Sequence, residues 1–440
     1  MAAAGAAARR GGLDDAPAAG YHARMRALVY ENSLPRLVAT KLLSALSPRA
    51  FVGPLAPIRL REVDEPRLPA PDWLVLRTRL CGLCGSDYKQ VFMNGATDNP
   101  MTSLISFPQV LGHEVVGVVE SVGPAVRTRR VGERVVLNPW LSCAPRGLPL
   151  CRWCAEGELA QCTNFTRGVL PAGIHHGNSA GATGGFAPRV PAHESQCIPV
   201  PDDVPDDVAV LADPFAVSLH AVLHHPPGGR LALVYGCGTL GLLAIAILRA
   251  LHPDVRVAAV ARYAHQARLA TQLGAERVLP HAPARAVVDG AAEFTGAELH
   301  EPWRGLPMLG TGFDVVYDTV TSPGTLEIGL RVARSRARVV ALGVEPPRRF
   351  EWTPLYFKEI ALCGSNAFGM ETWQGRRQHA MEWYFEWIRE ARLAAVPIVT
   401  HRFALEQYRE AFLACHDQGR SGAVKVLFDY GGPPALRARA

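Results

Sequence analysis

The stretch LALVYGCGTLGLLAIAILRA, residues 231–250, determines the expected architecture of this chain. It begins as a short apolar run, passes through three glycines and continues with apolar residues at helical spacing. A strand that enters a helix through G-x-G-x-x-G is typical of a dinucleotide-binding turn, because glycine lets the backbone approach a pyrophosphate closely. The free N–H groups at the start of the helix favour phosphate as well. We therefore predict that this turn binds a dinucleotide through Gly236, Gly238, Thr239, Leu240 and Gly241.

The sequence around this turn alternates between short apolar runs and helical stretches. Runs such as VRVAAVA and FDVVYDTV are separated by segments such as AHQARLATQLGA, which predicts a parallel sheet covered by helices on both faces. Nearer the N terminus, DWLVLRTRLCGLCG, VVGVVESVG and GERVVLNPW indicate antiparallel strands separated by Gly and Pro turns. A last strand, AVKVLFD, follows the α/β region, so we expect a β-rich domain that is split around an α/β domain.

The length of 440 residues fits two domains better than one hydrophobic core. We divide the chain into a disordered leader (1–24), the first part of the β-rich domain (25–205), the α/β domain (206–360), the second part of the β-rich domain (361–430) and a tail (431–440).

Composition and charge exclude several classes of function. The net charge is only +6, and arginines are scattered instead of forming basic blocks with interleaved aromatics, so we expect no nucleic-acid partner. The stretch 231–250 is apolar enough to imitate a membrane span, but its glycines favour a buried strand and helix. The N terminus lacks the apolar core of a secretory signal. We expect a cytoplasmic protein that does not bind membranes.

Four of the ten cysteines lie in one loop, CAPRGLPLCRWCAEGELAQC. Cytoplasmic thiols stay reduced, which favours metal binding over the alternative of disulfides. Four thiolates form a closed tetrahedral zinc site, and C-x-x-C spacing lets one turn supply two of them. The loop therefore predicts a structural zinc bound by Cys143, Cys151, Cys154 and Cys162.

The strand after the glycine-rich turn, VRVAAVA, should end at the residue that contacts the adenosine ribose of the cofactor. NAD sites usually carry Asp or Glu there, whereas this chain has Ala261 followed by Arg262. A guanidinium binds a 2′-phosphate, and no carboxylate repels it. We therefore favour NADP over NAD, with a solvated surface role for Arg262 as the alternative.

Three further motifs, CGLCGSD, LGHEVVG and LADPFAVSLHAV, carry candidate ligands for an open zinc site. Together with the cysteine loop and G-x-G-x-x-G in this order, they resemble the zinc-dependent alcohol dehydrogenases of the medium-chain dehydrogenase/reductase family, especially its polyol and threonine dehydrogenase branch. The resemblance covers roughly residues 25–430. It implies an α/β protein in which a GroES-like β-rich catalytic domain is split around a Rossmann domain with a doubly wound parallel sheet.

The resemblance also implies a ligand set for a catalytic zinc. Cys84 is the expected thiolate ligand and His113 the imidazole ligand, so Cys81 is left as a small buried residue of the incoming strand. The third ligand is Asp213 or Glu114. The alternative for Asp213 is a helix N-cap, a position that favours aspartate.

Ser86, Asp87 and Lys89 follow the thiolate ligand in the sequence. By resemblance, Ser86 passes the alcohol proton onward, and Asp87 orients the loop around the metal. Lys89 occupies the place of a relay histidine in many relatives. It either ends the proton relay or lies at the surface while the proton leaves by the ribose and water.

The resemblance implies hydride transfer between an alcohol, or its aldehyde or ketone, and a nicotinamide cofactor, NADP before NAD. It further implies two Zn²⁺ ions per chain, one catalytic and one structural, a small-molecule alcohol or carbonyl substrate, and a homodimer or homotetramer. The alternatives are a quinone or enoyl reductase of the same fold, and an NADP-binding protein with a degenerate zinc site. The cysteine loop, Cys84 and His113 argue against the reductase. The NADP-binding protein is the alternative if the third ligand fails, and metal analysis distinguishes it.

Overall fold

The structure is a computed structural model that describes residues 24–96, 98–346, 348–393 and 397–431. The predicted leader and tail lie outside the described residues except at their inner ends. The leader prediction is one residue too long, because Arg24 already begins the first strand and pairs with Asp64.

The first β-rich part contains eight strands and three helices among the described residues. They are β1 (Arg24–Tyr30), α1 (Leu34–Ser44), β2 (Ile58–Asp64), β3 (Trp73–Gly82), α2 (Gly85–Val91), β4 (Gln109–Val110), β5 (Glu114–Val122), β6 (Arg134–Leu137), α3 (Arg152–Ala155), β7 (Arg189–His193) and β8 (Cys197–Pro199). The alternating apolar pattern of β3 buries one face, and its antiparallel pairing with β5 places Gly82 opposite Glu114.

The α/β part follows the predicted alternation. Its elements are α4 (Asp206–Ala209), α5 (Ala212–His224), β9 (Leu231–Tyr235), α6 (Thr239–Leu251), β10 (Arg256–Ala261), α7 (Ala264–Gln272), β11 (Arg277–Pro280), α8 (Ala284–Thr295), β12 (Leu299–His300), β13 (Met308–Leu309), β14 (Phe313–Asp318), α9 (Pro323–Val332), β15 (Ala333–Ala341), α10 (Thr353–Phe357) and β16 (Ala361–Gly364). Six of these strands form a parallel sheet in the order β11-β10-β9-β14-β15-β16, which is the predicted Rossmann arrangement.

The predicted domain boundary after residue 360 is wrong by several residues. The strand β16 pairs in parallel with β15 and forms the edge of the Rossmann sheet, so this sheet continues to Gly364. Its short sequence, ALCG, carried no helix–strand alternation that would have assigned it to this domain.

The chain then returns to the β-rich domain. The remaining elements are β17 (Met370–Trp373), β18 (Arg376–His379), α11 (Ala380–Arg389), β19 (Val399–Phe403), α12 (Tyr408–His416), α13 (Gln418–Ser421) and β20 (Lys425–Asp429). The last strand pairs antiparallel with β3 and completes a seven-stranded sheet, whose path β19-β20-β3-β5-β6-β8 also carries β7 on β3. The β-rich domain is therefore split around the α/β domain, as predicted.

Five short 3₁₀ turns lie between these elements in the described part of the chain. They span Pro48–Val52, Pro100–Leu104, Leu159–Gln161, Glu194–Gln196 and Leu405–Gln407.

The segment Asp206–His224 is long and apolar enough to cross a membrane by length and composition. However, 67% of its most apolar window is buried inside the fold. Phe215 on α5 packs edge-to-face against Trp387 on α11, with ring centroids 5.6 Å apart. The segment is therefore a core helix that holds the β17–β18 and α11 region against the cofactor domain.

Candidate active site and metal centres

Strand register brings the two predicted zinc ligands together. Cys84 is the N-cap residue of α2, two residues after the end of β3, and His113 lies directly before β5. Because Gly82 and Glu114 are opposite each other in the β3–β5 ladder, both ligands lie at the same end of the strand pair. The ligand atoms of Cys84, His113 and Glu114 lie within 4.8 Å of one another.

Asp87 ties the two ligand-bearing segments together. Its buried carboxylate accepts the backbone N–H of Cys84 at 3.0 Å and that of Gly112 at 3.4 Å. The Nδ1 atom of His113 is 3.9 Å from Oδ1 of the same carboxylate. Burial raises the pKa of Asp87, and the nearby His113 opposes this effect. These contacts support the predicted orienting role of Asp87.

Asp213, on α5, is buried and interacts electrostatically with His113 and Glu114. The N-cap of this helix is Leu211, so the alternative reading of Asp213 as an N-cap is wrong. Its Oδ2 atom is buried without a hydrogen-bond partner among the described residues. Burial raises the pKa of Asp213 to about 7, with His113 lowering it and Glu114 raising it further. Asp213 does not belong to the three-residue cluster.

A buried lysine that the sequence analysis missed contacts Glu114. Lys425, on β20, has a side chain only 3% exposed and forms an ion pair with Glu114, whose side chain is 2% exposed. Its Nζ atom also donates to the carbonyl of Leu83 at 3.3 Å. The only signal in the sequence was a charged residue inside the apolar run AVKVLFD.

The donor set of this cluster fits a zinc ion. A thiol, an imidazole and carboxylates are ligands that zinc accepts. Burial alone lowers the pKa of His113, but Cys84 and Asp87 raise it well above its ordinary value, which means that the surroundings favour positive charge. A divalent cation would also relieve the repulsion between the buried Asp87, Glu114 and Asp213 carboxyls.

A cavity of about 270 Å³ opens beside the cluster. Its lining residues are Ser86, Asp87, Gln90, Asn99, Met101, Thr102, Ile105, Leu111, Ile174, His175, Gly177 and Asn178. Ser86 is exposed at this cavity, where a substrate proton could reach its hydroxyl.

His175 is a cavity residue that sequence reasoning missed, since its loop shows no ligand spacing. Its ring centroid lies 4.6 Å from that of His113. Burial, reinforced by the charge of His113, lowers the pKa of His175 to about 3, which keeps the ring neutral near pH 7. Trp140 packs edge-to-face behind it, with centroids 5.9 Å apart, and so supports the cavity wall.

The side chain of Lys89 contacts the cofactor domain and is not part of the cavity lining. Its Nζ atom lies 3.0 Å from Oε1 of Glu345 and also donates to the carbonyl of Val344. These contacts bridge α2 and the segment after β15. They favour the alternative in which Lys89 is not the end of the proton relay.

The four cysteines of the second predicted site lie together. The ligand atoms of Cys143, Cys151, Cys154 and Cys162 are within 4.8 Å of one another. The sulfurs of Cys143 and Cys162 are 3.6 Å apart, and Asn164 donates from Nδ2 to the sulfur of Cys143 at 3.2 Å. A hydrogen bond from Cys162 lowers the pKa of Cys154 to about 5, which favours a thiolate. This arrangement fits a closed tetrahedral zinc site.

The segment between Cys143 and Cys151 contains a buried arginine that ties the cysteine loop to its surroundings. Within it, the buried Arg146 donates to the carbonyls of five residues: Leu141, Arg167, Leu170, Pro171 and Gly173. The guanidinium thus supplies donors to five carbonyl groups around it, including the buried ones of Leu141, Leu170 and Gly173. These hydrogen bonds hold the cysteine loop in place.

The glycine-rich turn connects β9 to α6 as predicted. Gly236 has a φ of +93°, and a Cβ at Gly241 would meet the carbonyl oxygen of Gly236, so the turn requires glycine at both positions. Gly238 is the N-cap of α6, and a Cβ there would meet no atom within 4 Å. Open space in front of a helix N-terminus is where a pyrophosphate binds.

Arg262 stands at the carboxyl end of β10, beside a cavity of about 420 Å³. The lining residues are Ala261, Arg262, Tyr263, Ala264, Ala267, Val278, Leu279, Pro280 and His281. The guanidinium lies 5.4 Å from the centre of the Tyr263 ring, and Arg262 is exposed. This is the crevice at the carboxyl ends of parallel strands where a nucleotide is expected.

Comparison with known proteins agrees with these features. The alcohol dehydrogenase GroES-like domain matches residues 70–202, and the zinc-binding dehydrogenase domain matches residues 239–385. A diacetyl reductase, (R)-acetoin forming, of Saccharomyces cerevisiae is 32% identical over 314 residues, which are 67% of this chain and 69% of that protein. The L-threonine 3-dehydrogenase of Deinococcus deserti is 28% identical over 381 residues, covering 85% of this chain and 96% of the relative.

Solved structures share the fold. The 2R,3R-butanediol dehydrogenase of Bacillus subtilis aligns over 92% of this chain and all of its own, with a TM-score of 0.66 and 24% identity. A zinc-binding dehydrogenase of Sinorhizobium meliloti 1021, bound to NADP, aligns over 92% of this chain and 99% of its own, with the same TM-score and identity.

This chain belongs to the zinc-dependent alcohol dehydrogenases of the medium-chain dehydrogenase/reductase family. It is an oxidoreductase that uses zinc and a nicotinamide cofactor and acts on small-molecule alcohols or their carbonyl counterparts. The predictions of fold class and of reaction class are confirmed.

Proposed function

We propose that this enzyme interconverts a small secondary alcohol and its ketone, with NADP as the preferred cofactor. The substrate carries a second polar group, such as a hydroxyl, carbonyl or amine, next to the reacting carbon. The names of the relatives, which include butanediol, diacetyl and threonine enzymes, support this class. The cavity supports it too, because Gln90, Asn99 and Asn178 line it beside Met101 and Ile105.

One observation carries this proposal: three potential zinc ligands are clustered beside a cavity of about 270 Å³. The cluster of Cys84, His113 and Glu114 would hold the catalytic zinc, and Asp213 supplies a second carboxylate close by. The loop of four cysteines, which has no open position, would hold the structural zinc. Two zinc ions per chain are therefore expected at these two sites.

The side chains around the cavity have separate tasks in the reaction. A bound zinc supplies Lewis acidity towards the substrate oxygen, and the nicotinamide supplies or accepts the hydride. Ser86 takes the hydroxyl proton of the alcohol and passes it towards solvent, since its side chain is exposed at the cavity. Asp87 fixes the backbone at Cys84 and Gly112. The neutral ring of His175 and the side chain of Leu111 line the cavity, where they limit the access of water to the reacting groups.

A substrate panel tests this proposal directly. Vicinal diols, hydroxy amino acids, simple secondary alcohols and aryl alcohols are each incubated with NADP while NADPH absorbance is followed. We expect the highest kcat/KM for a vicinal diol or a β-hydroxy amino acid, and loss of activity after treatment with a strong chelator. Activity that survives complete removal of zinc would contradict the proposal and favour a quinone or enoyl reductase.

Replacing Arg262 with alanine tests the cofactor preference. We expect kcat/KM for NADP to fall about 10–100-fold, because a charge-assisted hydrogen bond contributes about 1.5–3 kcal/mol, while kcat/KM for NAD changes little. Arg304→Ala, at an exposed position on the loop between β12 and β13, is the control and should change neither value. Equal efficiency with both cofactors in the unsubstituted enzyme would rule out the NADP preference.

We also propose a cytoplasmic homodimer or homotetramer. All ten cysteines are free within the described residues, which fits a reducing compartment. The Rossmann sheet ends at β16, and large apolar side chains near this edge are exposed: Trp352 by 64%, Tyr356 by 86% and Phe357 by 70%. An open strand edge with exposed aromatics is suited to association with a second copy.

A further inference from the structure

A third cluster of potential ligands lies outside both zinc sites. His220 and His224 are four residues apart on α5, so they project from the same face of the helix. The Nδ1 atom of His220 is 2.7 Å from Oε1 of Glu371, and the Nε2 atom of His224 is 3.1 Å from Oε2. Glu371 lies on β17, in the hairpin that packs against α5. The three ligand atoms lie within 4.8 Å of one another.

We propose that His220, His224 and Glu371 form a third metal site, which binds a divalent transition-metal ion such as zinc. Two imidazoles and one carboxylate are a donor set of open zinc sites, in which water occupies the fourth position. Imidazole nitrogen also selects zinc, copper or nickel over magnesium and calcium, which prefer oxygen ligands.

The burial of the three side chains fits a metal site with one open side. The side chain of Glu371 is 2% exposed, that of His220 is 11% exposed, and that of His224 is 40% exposed. The carboxylate is therefore anchored in the core, while His224 forms the entrance for the ion and its water. Glu158 lies near His224 and adds negative charge to this side of the site.

Surrounding groups hold both the backbone and the carboxylate of Glu371 in place. The indole N–H of Trp383 donates to the backbone carbonyl of Glu371 at 3.1 Å, and the N–H of Gly369 donates to Oε1 at 3.4 Å. Such outer contacts orient the ligands of metal sites. Burial lowers the pKa of the adjacent His379 to about 4, so this ring stays neutral and does not compete as a cation.

A divalent ion fits the charge of the three groups. Both histidines direct a ring nitrogen at one carboxylate, and their ring centroids are only 4.0 Å apart. Two neutral rings that each donate an N–H to one carboxylate oxygen would form a metal-free, hydrogen-bonded clasp of the same shape, so zinc binding distinguishes the two states. Two neutral imidazoles with a divalent ion satisfy all three groups at once.

The site is distinct from the catalytic cluster. On the same helix, His220 lies seven residues and His224 eleven residues after Asp213. These separations correspond to about 10–16 Å along the helix axis. An ion bound here would join α5 to the β17–β18 hairpin, and thereby join the helix that carries Asp213 to the C-terminal part of the chain.

Zinc stoichiometry and thermal unfolding of the full-length enzyme test the proposal. The unsubstituted protein, His224→Ala and His252→Ala are dialysed against the same low concentration of free Zn²⁺ and analysed by native mass spectrometry. His252 is the matched control, because it is a partly exposed histidine at the end of another helix, α6. We expect His224→Ala to carry one zinc less than the other two, with affinity for this zinc reduced at least about tenfold.

Added Zn²⁺ should also raise the Tm of the unsubstituted protein and of His252→Ala by more than it raises the Tm of His224→Ala. Equal zinc content in all three proteins would overturn the proposal, as would an equal zinc-dependent rise in Tm. A metal-free, hydrogen-bonded clasp predicts an equal zinc-dependent rise in Tm, because His224→Ala then lowers Tm to the same extent with and without zinc. If His224→Ala is poorly folded, Glu371→Gln, which keeps the side-chain shape, is compared in the same way.

Discussion

Replacing Cys84 with alanine is expected to remove the catalytic zinc and to lower kcat by about a thousandfold or more. Cys84 is the thiol of the cluster with His113 and Glu114, so its loss leaves one imidazole and one carboxylate. A Lewis acid contributes several kcal/mol to stabilising charge on the substrate oxygen. A change of about 1.4 kcal/mol in the activation free energy changes the rate tenfold. Metal analysis and steady-state kinetics on the same preparation measure both effects.

Two other cysteines provide controls for this experiment. Cys81 is fully buried on β3, and burial raises the pKa of its thiol well above the ordinary value, so Cys81→Ala should retain zinc and activity. Cys154→Ser should lose the structural zinc, while the folded fraction keeps its chemistry. If Cys84→Ala kept its full zinc content and rate, the assignment of the catalytic site would be wrong.

Local sequence patterns were sufficient to predict the elements with fixed short-range spacing. The glycine-rich turn, the four-cysteine loop and the alternation of strands and helices each depend on neighbouring residues, and each appears in the structure as expected. The edge strand β16 was assigned to the wrong domain because four residues without a following helix give no pattern. The position of β16 is set by its pairing with β15, and the residues next to β16 in the sequence carry no signal for this pairing.

The features that were missed come from long-range contacts. Lys425 meets Glu114 only because β20 returns to β3 after the whole cofactor domain has been inserted. His175 approaches His113 from a separate loop, and Glu371 approaches His220 across 151 positions of sequence. The resemblance leaves two roles open for Lys89, and its contact with Glu345 depends on how the two domains pack. Spacing along the chain cannot predict such partners.

The second large effect is expected from Lys425→Met. The substitution keeps the volume of the side chain but leaves the Glu114 carboxylate buried beside Asp213 and Asp87 without its cation. Breaking a buried ion pair by removing one partner costs about 3–5 kcal/mol. We therefore expect a large fall in the Tm and in the urea midpoint of the zinc-free protein. Zinc should recover part of this loss, because Glu114 then has a cationic partner again.

Lys358→Met separates this effect from the loss of any buried lysine. Lys358 is also buried, but its Nζ atom donates to the carbonyls of Arg331 and Ala333 and leaves no carboxylate behind. Its replacement should lower the Tm equally with and without zinc. The double variant Lys425→Met/Glu114→Gln should be more stable without zinc than Lys425→Met alone, because the uncompensated charge is gone. A Lys425→Met protein whose stability matched that of the unsubstituted enzyme without zinc would show that Glu114 does not depend on this lysine.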